Sequence, residues 1–396
     1  MTITISTRTS YEDRASVKDN IDDRLDFLSP TDVPFLSYIG FASDAGGATA
    51  GANSLKFPCT QTRHLWFNDD LVPSTATLNA AYTAAGGTLT LVAAQTERFQ
   101  DDDIIMVDDS IFLVTATTHA SETLTVTELH TSANHANAST VYLLGNARLE
   151  GLAASDIESR TTDFGSTENF TQIFAAVVRM TGSEMASERW GIGGDPYQYQ
   201  LNKRVKELGI QMEKAAIYNR RNTSYPSDNT ERRRMGGMAE YVRDATSANV
   251  RDAVSVDLDE ILLNDALQDV WEDGGMPDTI MVPARQKRMI SSFLSPYIRV
   301  PRTESVAGVV VGSYESDFCT LTVVLNRWLK TSDLLIMTSE DIGMGPLAGN
   351  GQNRAFFTEE LPKDGDYVRT QVIGEYTMEV RNALKTHGWV ENLSTS

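Results

Sequence analysis

Hydrophobic and polar positions along the chain fall into segments of different period. The strongest periodic segment is 195–222, where apolar residues recur every three or four positions, which predicts a long helix with a narrow apolar stripe. Asp195 suits its N-cap and Pro196 its first helical position. At 1.5 Å per residue such a rod is ~40 Å long, so we expect only one side to pack on its own chain. The apolar positions are Leu201, Val205, Leu208, Met212 and Ala215.

Residues 236–345 alternate between helical and strand-like patterns, which is typical of an α/β domain. Asp257 and Glu260 are interpreted as a capping box for a helix that stops at Gly274 and Gly275. A second helix is expected from Pro283 to about Phe293. The apolar positions of the first helix are Ile261, Leu263, Leu267 and Val270. The strands expected here are Thr279–Val282, Val309–Val311, Leu321–Leu325 and Leu334–Met337.

Residues 346–396 are expected to return to the preceding domains as strands. Their clearest feature is an alternating strand with Tyr376, Met378 and Val380 on one side.

A threonine- and valine-rich segment at about 81–150 predicts a small inserted β-domain. Short apolar runs recur roughly every ten residues between turn-forming residues, as in a barrel or sandwich. The flanks, 56–80 and 151–180, have the character of two arms of one ribbon. Since an isolated ribbon is marginal in water, we expect it to lie on a neighbour. The five runs contain Leu89 and Leu91, Ile104–Val107, Ile111–Val114, Leu124 and Val126, and Val141–Leu144.

The N-terminal segment, 1–55, does not resemble the start of a domain core. Pro30 and Pro34 are expected to break any helix between its apolar residues. One interpretation is a short helix packed on its own core. The other is an arm whose apolar anchors need the surface of another subunit. The candidate intersubunit contacts are Phe27, Phe35, Tyr38 and Phe41.

Composition narrows the class of protein. The chain has 396 residues, 41% hydrophobic, and a net charge of −20. Such a sequence has enough apolar residues for hydrophobic cores, and its negative charge argues against a protein that binds nucleic acid tightly through phosphate contacts. Two cysteines, Cys59 and Cys319, fit a reducing compartment, and no apolar run is long enough for a membrane span. We expect a soluble, intracellular protein of several domains.

Candidate chemistry is sparse, and we expect no enzyme, cofactor or metal site. The histidines are dispersed, and His130 and His135 are interpreted as solvated loop residues because a spacing of five does not suit a helical zinc site. A carboxylate cluster could bind a hard cation, but protection of a strand edge is the preferred interpretation. That cluster is Asp101, Asp102, Asp103, Asp108 and Asp109.

One basic cluster lies near the end of the predicted long helix. Its arginines could interact with the helix dipole and solvent, contact the acidic surface of a neighbouring subunit, or, least favoured, contact DNA. The residues are Arg220, Arg221, Arg232, Arg233 and Arg234.

Several local strings resemble major capsid proteins of tailed bacteriophages with the Hong Kong 97 fold. More narrowly, they resemble a subfamily with a β-rich insertion in the extended loop. The order and spacing of the strings carry the resemblance. They are Ser29–Ser37, Trp271–Ile280, Gln286–Phe293, Tyr314 with Asp317 and Phe318, Leu325–Trp328, and Glu375–Asn382 with His387 and Gly388.

The resemblance implies an α+β capsid fold and self-assembly into hexamers and pentamers that close an icosahedral shell around packaged DNA. It assigns 1–55 to an N-terminal arm, 56–180 to an extended loop with the insert, 181–235 to a peripheral domain with the spine helix, and 236–345 to an axial domain. It also implies portal, scaffolding and decoration proteins as partners, only weak DNA contact, no membrane, and synthesis in the bacterial cytoplasm before incorporation into the virion.

Some members of this family crosslink their shells covalently through a lysine–asparagine isopeptide bond, with the lysine in the extended loop. This chain has no lysine in 57–202, so we expect no such crosslink. Two other functions stay open at this point. One is another virion part, such as a tail-tube or decoration subunit. The other is an acidic hydrolase, which would require His387 to meet carboxylates near Asp257–Glu260.

Overall fold

The computed structural model describes residues 31–39, 59–131, 133–151, 161–187, 195–228, 230–245, 249–293, 312–363 and 365–395. Phe27, Phe41 and the strand expected at Val309–Val311 lie outside these ranges. The helices are α1 Pro34–Ile39, α2 Gly182–Ala186, α3 Pro196–Tyr218, α4 Glu260–Glu272 and α5 Ala284–Phe293, with a π-helical turn at Ala239–Arg243.

The strands are numbered along the chain. The first ten are β1 Arg63–Asn68, β2 Thr75–Thr77, β3 Thr88–Thr90, β4 Asp103–Val107, β5 Ser110–Thr118, β6 Thr123–His130, β7 Thr140–Asn146, β8 Gly165–Phe170, β9 Gln172–Thr181 and β10 Val250–Asp252. The others are β11 Thr279–Val282, β12 Gly312–Glu315, β13 Thr320–Leu325, β14 Leu334–Met337, β15 Ile342–Pro346, β16 Ala348–Gly349, β17 Gln352–Asn353, β18 Phe357–Glu360, β19 Tyr367–Val380 and β20 Gly388–Glu391.

The chain divides into two units: Met1–Trp66 with Thr167–Ser396, and Phe67–Ser166. The first unit is built on a mixed sheet of order β10-β20-β14-β11-β13-β12, in which β11 pairs parallel with β13 and β10 parallel with β20. Successive residues of its strands point to opposite faces, and both faces are covered. The central strands β11 and β14 are therefore buried along their whole length, as their apolar runs predict.

Each face of this sheet belongs to its own core. Helices α4 and α5 cover one face and contribute Leu263, Leu267 and Ile290. Helices α1 and α3 cover the other, with Phe35 and Met212 among the contributors. The sheet residues on the α4 side are Ile280, Val282, Leu321, Val323, Leu334, Ile336 and Val390. Those on the α3 side are Met281, Val324, Leu335, Met337 and Trp389.

The long helix is shorter than expected. Asp195 caps it as predicted, with its carboxylate accepting from the N–H of Tyr197, but α3 ends at Tyr218 rather than 222. Asn219 turns to an extended conformation because its side chain donates to Gln172 at 2.7 Å and its carbonyl accepts from Gly237. Within the stripe, Leu208 and Met212 are buried whereas Val205 is 42% exposed.

The start of α4 also differs from the expectation. Asp259, not Asp257, is the N-cap, and it accepts from the N–H of Leu262 at 2.7 Å. Ile261 is 71% exposed, so it is not part of the core. The predicted end of the helix is confirmed by Gly274, whose φ of +90° favours glycine.

A second sheet in the first unit packs on α3. Its central strand β19 pairs with β9 on one side and with β15 and β18 on the other. The expected strand with Tyr376, Met378 and Val380 on one side is confirmed, and the residues between them are buried as well, because β19 is covered on both faces from Gly374 to Val380.

Unit Phe67–Ser166 is a six-stranded antiparallel sheet of order β2-β7-β4-β5-β6-β3 around its own apolar core. All five predicted strands are present, and Thr75–Thr77 adds one before the expected start at 81. Strands β1 and β8 form a two-stranded sheet where the chain enters and leaves this unit. Residues 172–180 do not continue that ribbon, because β9 joins β19 instead.

Candidate assembly surfaces

The arm helix α1 is fastened to the rest of the first unit by a buried carboxylate. Glu213 of α3 is fully buried, and its Oε1 accepts from the N–H of Phe35 at 2.8 Å while Oε2 accepts from that of Leu36 at 2.9 Å. Oε1 also accepts from the side-chain amide of Asn326 at 2.7 Å, just beyond β13. One carboxylate therefore joins the arm, the long helix and the mixed sheet.

A partly exposed set of contacts surrounds that carboxylate. Arg327 pairs with the carboxylate of Asp32 at 2.8 Å, and the indole N–H of Trp328 donates to the carbonyl of Asp32 at 2.9 Å. Further along the arm, Thr279 donates to the hydroxyl of Tyr38 at 2.6 Å. We call Asp32, Phe35 and Leu36 together with Glu213, Asn326, Arg327 and Trp328 the arm clasp.

Burial controls the protonation of Glu213. Loss of solvation raises the pKa of Glu213 to about 7, although the donors Leu36, Phe35 and Asn326 oppose this shift; the nearby charge of Asp32 adds to it. A carboxylate on the first N–H groups of a helix is also favoured by the helix dipole. The clasp therefore contains a group that titrates near neutral pH.

Phe35 does not have the predicted surroundings, whereas Tyr38 is only partly buried and stays a candidate. Phe35, Leu36 and Ile39 are at most 2% exposed within their own chain, so the expectation that the segment cannot bury its anchors alone is wrong for 34–39. Pro34 does not break the helix; it occupies the first helical position, where a missing N–H costs nothing. A fully buried Phe35 offers no surface to a neighbouring subunit.

Three of the clustered arginines bind carboxylates of their own chain. Arg221 lies between Glu168 at 2.9 Å and Glu240 at 3.3 Å. Arg233 pairs with Glu375 at 2.6 Å, and that carboxylate is nearly buried. Arg220 pairs with Asp244 at 2.7 Å. These pairs fasten the segment after α3 to β8, β19 and the π-helical turn.

Arg232 and Arg234 have exposed side chains on the same loop. Their backbone groups are held by Asn222, which donates to the carbonyl of Arg232 at 3.1 Å and accepts from the N–H of Arg234 at 2.8 Å. The loop borders a cavity of about 520 Å³ that Tyr225 and Ile173 also line. A braced backbone therefore presents these two guanidinium groups to solvent.

The second sheet has one open apolar face. Phe174 and Val178 of β9 point toward α3, whereas Ile173 and Val177 are 49% and 51% exposed on the opposite side. Phe357 of β18, 37% exposed, lies opposite Ile373, which in turn lies opposite the exposed Ala175. We call Ile173, Ala175, Val177, Phe357 and Ile373 the open face. A contiguous exposed apolar patch is typical of an interaction surface.

His130 and His135 are close in sequence but differ in their exposure to solvent. His130 is exposed at the end of β6, but His135 is 3% exposed, stacks on Tyr82 and binds the carboxylate of Asp108 at 2.7 Å. The interpretation of His135 as a solvated loop residue is therefore wrong. Among the described residues, no group of three or more His, Cys, Asp or Glu side chains has an arrangement that could hold a metal ion.

The aspartate cluster does not protect a strand edge. β4 lies between β7 and β5 in the interior of its sheet. Asp103 is buried and accepts from the N–H of Gln100 at 2.8 Å, while Asp102 and Asp108 occupy turns with φ of +70° and +48°. Aspartate tolerates left-handed backbone conformations and accepts hydrogen bonds from nearby backbone groups, so these residues stabilise turns.

Two further histidines have strongly shifted pKa values. Burial opposes a charge on His64, but hydrogen bonding with Cys59 and with Glu379, 3.0 Å away, outweighs it and raises the pKa of His64 to about 9. Complete burial lowers the pKa of His387 to about 4, and its Nδ1 accepts from the N–H of Thr338. Asp257 pairs with Arg285 at 2.8 Å. The contacts of His387 thus give no support to a hydrolase site with Asp257.

In the described part of the chain, no helix combines the length and apolar character needed to cross a bilayer.

Solved structures place this architecture in a known class. The capsid asymmetric unit of cyanophage A-1(L) is similar at 7% identity with a TM-score of 0.55, covering 98% of this chain and 100% of that one. A Mycobacterium phage Bobi structure matches at 11% identity, TM-score 0.47, over 98% and 99%. The SrpI encapsulin complex of Synechococcus elongatus matches at 13%, TM-score 0.42, over 59% and 79%. The fold is the α+β Hong Kong 97-like fold of shell-forming proteins.

A family model described as the SU10 major capsid protein matches residues 3–394, so the chain belongs to that family. It is a major capsid protein, a self-assembling subunit of a bacteriophage head shell. The predicted fold and family are thereby confirmed, while the narrower subfamily stays a prediction. No curated protein matches the chain.

Proposed function

We propose that this subunit forms hexamers and pentamers that close an icosahedral head around packaged double-stranded DNA, and that it does so without enzymatic activity. The observation that carries the proposal is the open face. A sheet that packs α3 on one side and exposes Ile173 and Val177 on the other leaves apolar surface that a second copy can cover. A head built from many copies supplies such a cover at every subunit.

Charge supports a lining that holds DNA only weakly. With a net charge of −20, the subunit repels phosphate, and Arg221 and Arg233 are already paired with carboxylates of their own chain. DNA can then enter and leave the head without being trapped on the wall. Exposed Arg232 and Arg234 are the candidates for contact with an acidic neighbouring subunit.

Other partners follow from the same role. We infer that portal and scaffolding proteins act with this subunit during assembly, that a decoration protein can bind outside, and that assembly takes place in the host cytoplasm before the shell becomes part of the virion. Phe27, Tyr38 and Phe41 stay candidates for intersubunit contacts in the arm.

Negative-stain electron microscopy of the overexpressed full-length chain tests the proposal. We expect closed shells from the native protein and a marked loss of shells from Val177→Asp, because the substitution places a charge on the open face. Val205→Asp is the matched control, since Val205 is similarly exposed but lies on α3. Tubes, or monomers under every assembly condition, contradict the proposal, as do equal shell yields from both variants.

A further inference from the structure

The inserted unit has an apolar outer face that its own core does not use. In β4 the burial pattern alternates, so Ile105 and Val107 face the core while Ile104 and Met106 face outward. In β5, Ile111 and Leu113 likewise alternate with the buried Phe112 and Val114. Two apolar side chains from each strand of this central hairpin therefore point away from the core.

Strand pairing aligns these residues with β7. Met106 lies opposite Ile111 on one side and opposite Tyr142 on the other, and Ile104 lies opposite Leu113. Tyr142 and Leu144 are 44% and 52% exposed. We call Ile104, Met106, Ile111, Leu113, Tyr142 and Leu144 the outer stripe. It crosses three neighbouring strands in the middle of the sheet, where edge pairing plays no part.

The charge of this unit restricts what can cover the stripe. Residues 67–166 contain 14 Asp and Glu against three Arg and no Lys, a net charge of −11. Exposed carboxylates flank the β4–β5 hairpin at both ends, with Asp101 before β4 and Asp108 and Asp109 in its turn. Two copies packed stripe to stripe would bring these charges together, which is unfavourable at short range.

We propose that the outer stripe is a docking surface for a different polypeptide, one with an apolar strand or patch bordered by lysine or arginine. Apolar side chains of the partner would cover Met106 and Leu113, and its cations would meet the carboxylates at the two ends of the hairpin. Burial of the stripe supplies the affinity, and complementary charge selects this partner over a second copy.

Binding of short model peptides to the full-length chain tests this assignment. The probes are fluorescent seven-residue peptides that alternate Leu with Lys, Leu with Glu, and Ser with Lys, measured by anisotropy. We expect the Leu–Lys peptide to bind and the other two to bind at least about tenfold more weakly, because only the first offers both apolar area and positive charge.

Variants locate the binding. Ile104→Ser combined with Leu113→Ser, and separately Tyr142→Ser at the margin of the stripe, should weaken Leu–Lys binding by about tenfold and a few-fold respectively. Val254→Ser, on an exposed apolar residue of the first unit, is the control and should change nothing. Circular dichroism verifies the fold of each variant, and Tyr142→Ser keeps the test decisive if the double variant does not fold.

Three outcomes overturn the proposal. The first is equal binding of the Ser–Lys or Leu–Glu peptide. The second is unchanged Leu–Lys binding in a folded Tyr142→Ser variant. The third is self-association in analytical ultracentrifugation that the stripe variants abolish, since that result assigns the stripe to a second copy.

Discussion

Glu213 offers the sharpest test of how the arm is held. In Glu213→Gln the side chain keeps its shape, but one terminal atom becomes an NH₂ donor. If the NH₂ group takes the place of Oε2, it faces the N–H of Leu36. If it takes the place of Oε1, it faces the N–H of Phe35 and the amide of Asn326. In both cases a donor faces another donor. At least one buried N–H then lacks an acceptor, which costs about 1–3 kcal/mol of unfolding free energy.

Glu213→Ala removes the acceptor for all three donors, so we expect a loss of about 3 kcal/mol or more. Glu207→Gln is the matched control on the same helix. Glu207 is partly exposed, and its ion pair in the described part of the chain is with Arg204 three residues away, so its loss should change stability by less than about 0.5 kcal/mol.

Urea unfolding followed by tryptophan fluorescence measures the effect. All five tryptophans belong to the first unit, so the signal reports the part of the chain that contains the arm clasp. Limited proteolysis should also show earlier cleavage within 34–39 in both Glu213 variants. Stability of Glu213→Ala within about 0.5 kcal/mol of the Glu207→Gln control would refute the role of the carboxylate.

The other predictions concern pH, crosslinking and the inserted unit. The pKa of Glu213 is raised in the folded state, so the native protein holds this proton more tightly; stability should fall as pH rises from about 4.5 to about 7, and Glu213→Gln should remove that slope in urea titrations. The pKa of His64 is raised to about 9, so its contribution to the free energy of unfolding is complete below about pH 6.5 and is lost as pH rises through 9. His64→Gln should remove this dependence of the melting temperature on pH. Denaturing gels of mature particles should show only monomers, because the chain lacks lysine in 57–202, and a ladder of multimers would contradict this. Joining Asn68 to Gly165 through an Asn-Gly turn should leave a first unit that unfolds cooperatively but forms fewer or less heat-resistant shells; wild-type heat resistance would show that the inserted unit does not strengthen the head.

Local signals explain what could be predicted from the sequence. The strand Thr279–Val282 is a continuous apolar run between a glycine stop and a proline start, and the structure has it fully buried. The β-strands of the insert have alternating apolar residues and turn residues at regular spacing, and each is present. In these elements the sequence near each residue determines its conformation.

The features that the sequence did not predict depend on contacts between distant parts of the chain. Helix α1 begins at Pro34 and is held in place because Glu213, 178 residues away from Phe35, accepts hydrogen bonds from the N–H groups of Phe35 and Leu36. Nothing in the pattern of α3 distinguishes Glu213 from an ordinary polar residue. The position of β4 inside its sheet depends on pairing with β7, which the local run of aspartates does not reveal.

Cryo-electron microscopy of closed particles assembled from this chain shows whether the open face is an interface between subunits. We expect rings of five and six copies in which a neighbouring copy covers Ile173 and Val177, while the arm clasp stays within one subunit. Closed particles in which both side chains face solvent, or an arm helix that leaves Glu213 for another subunit, would contradict it.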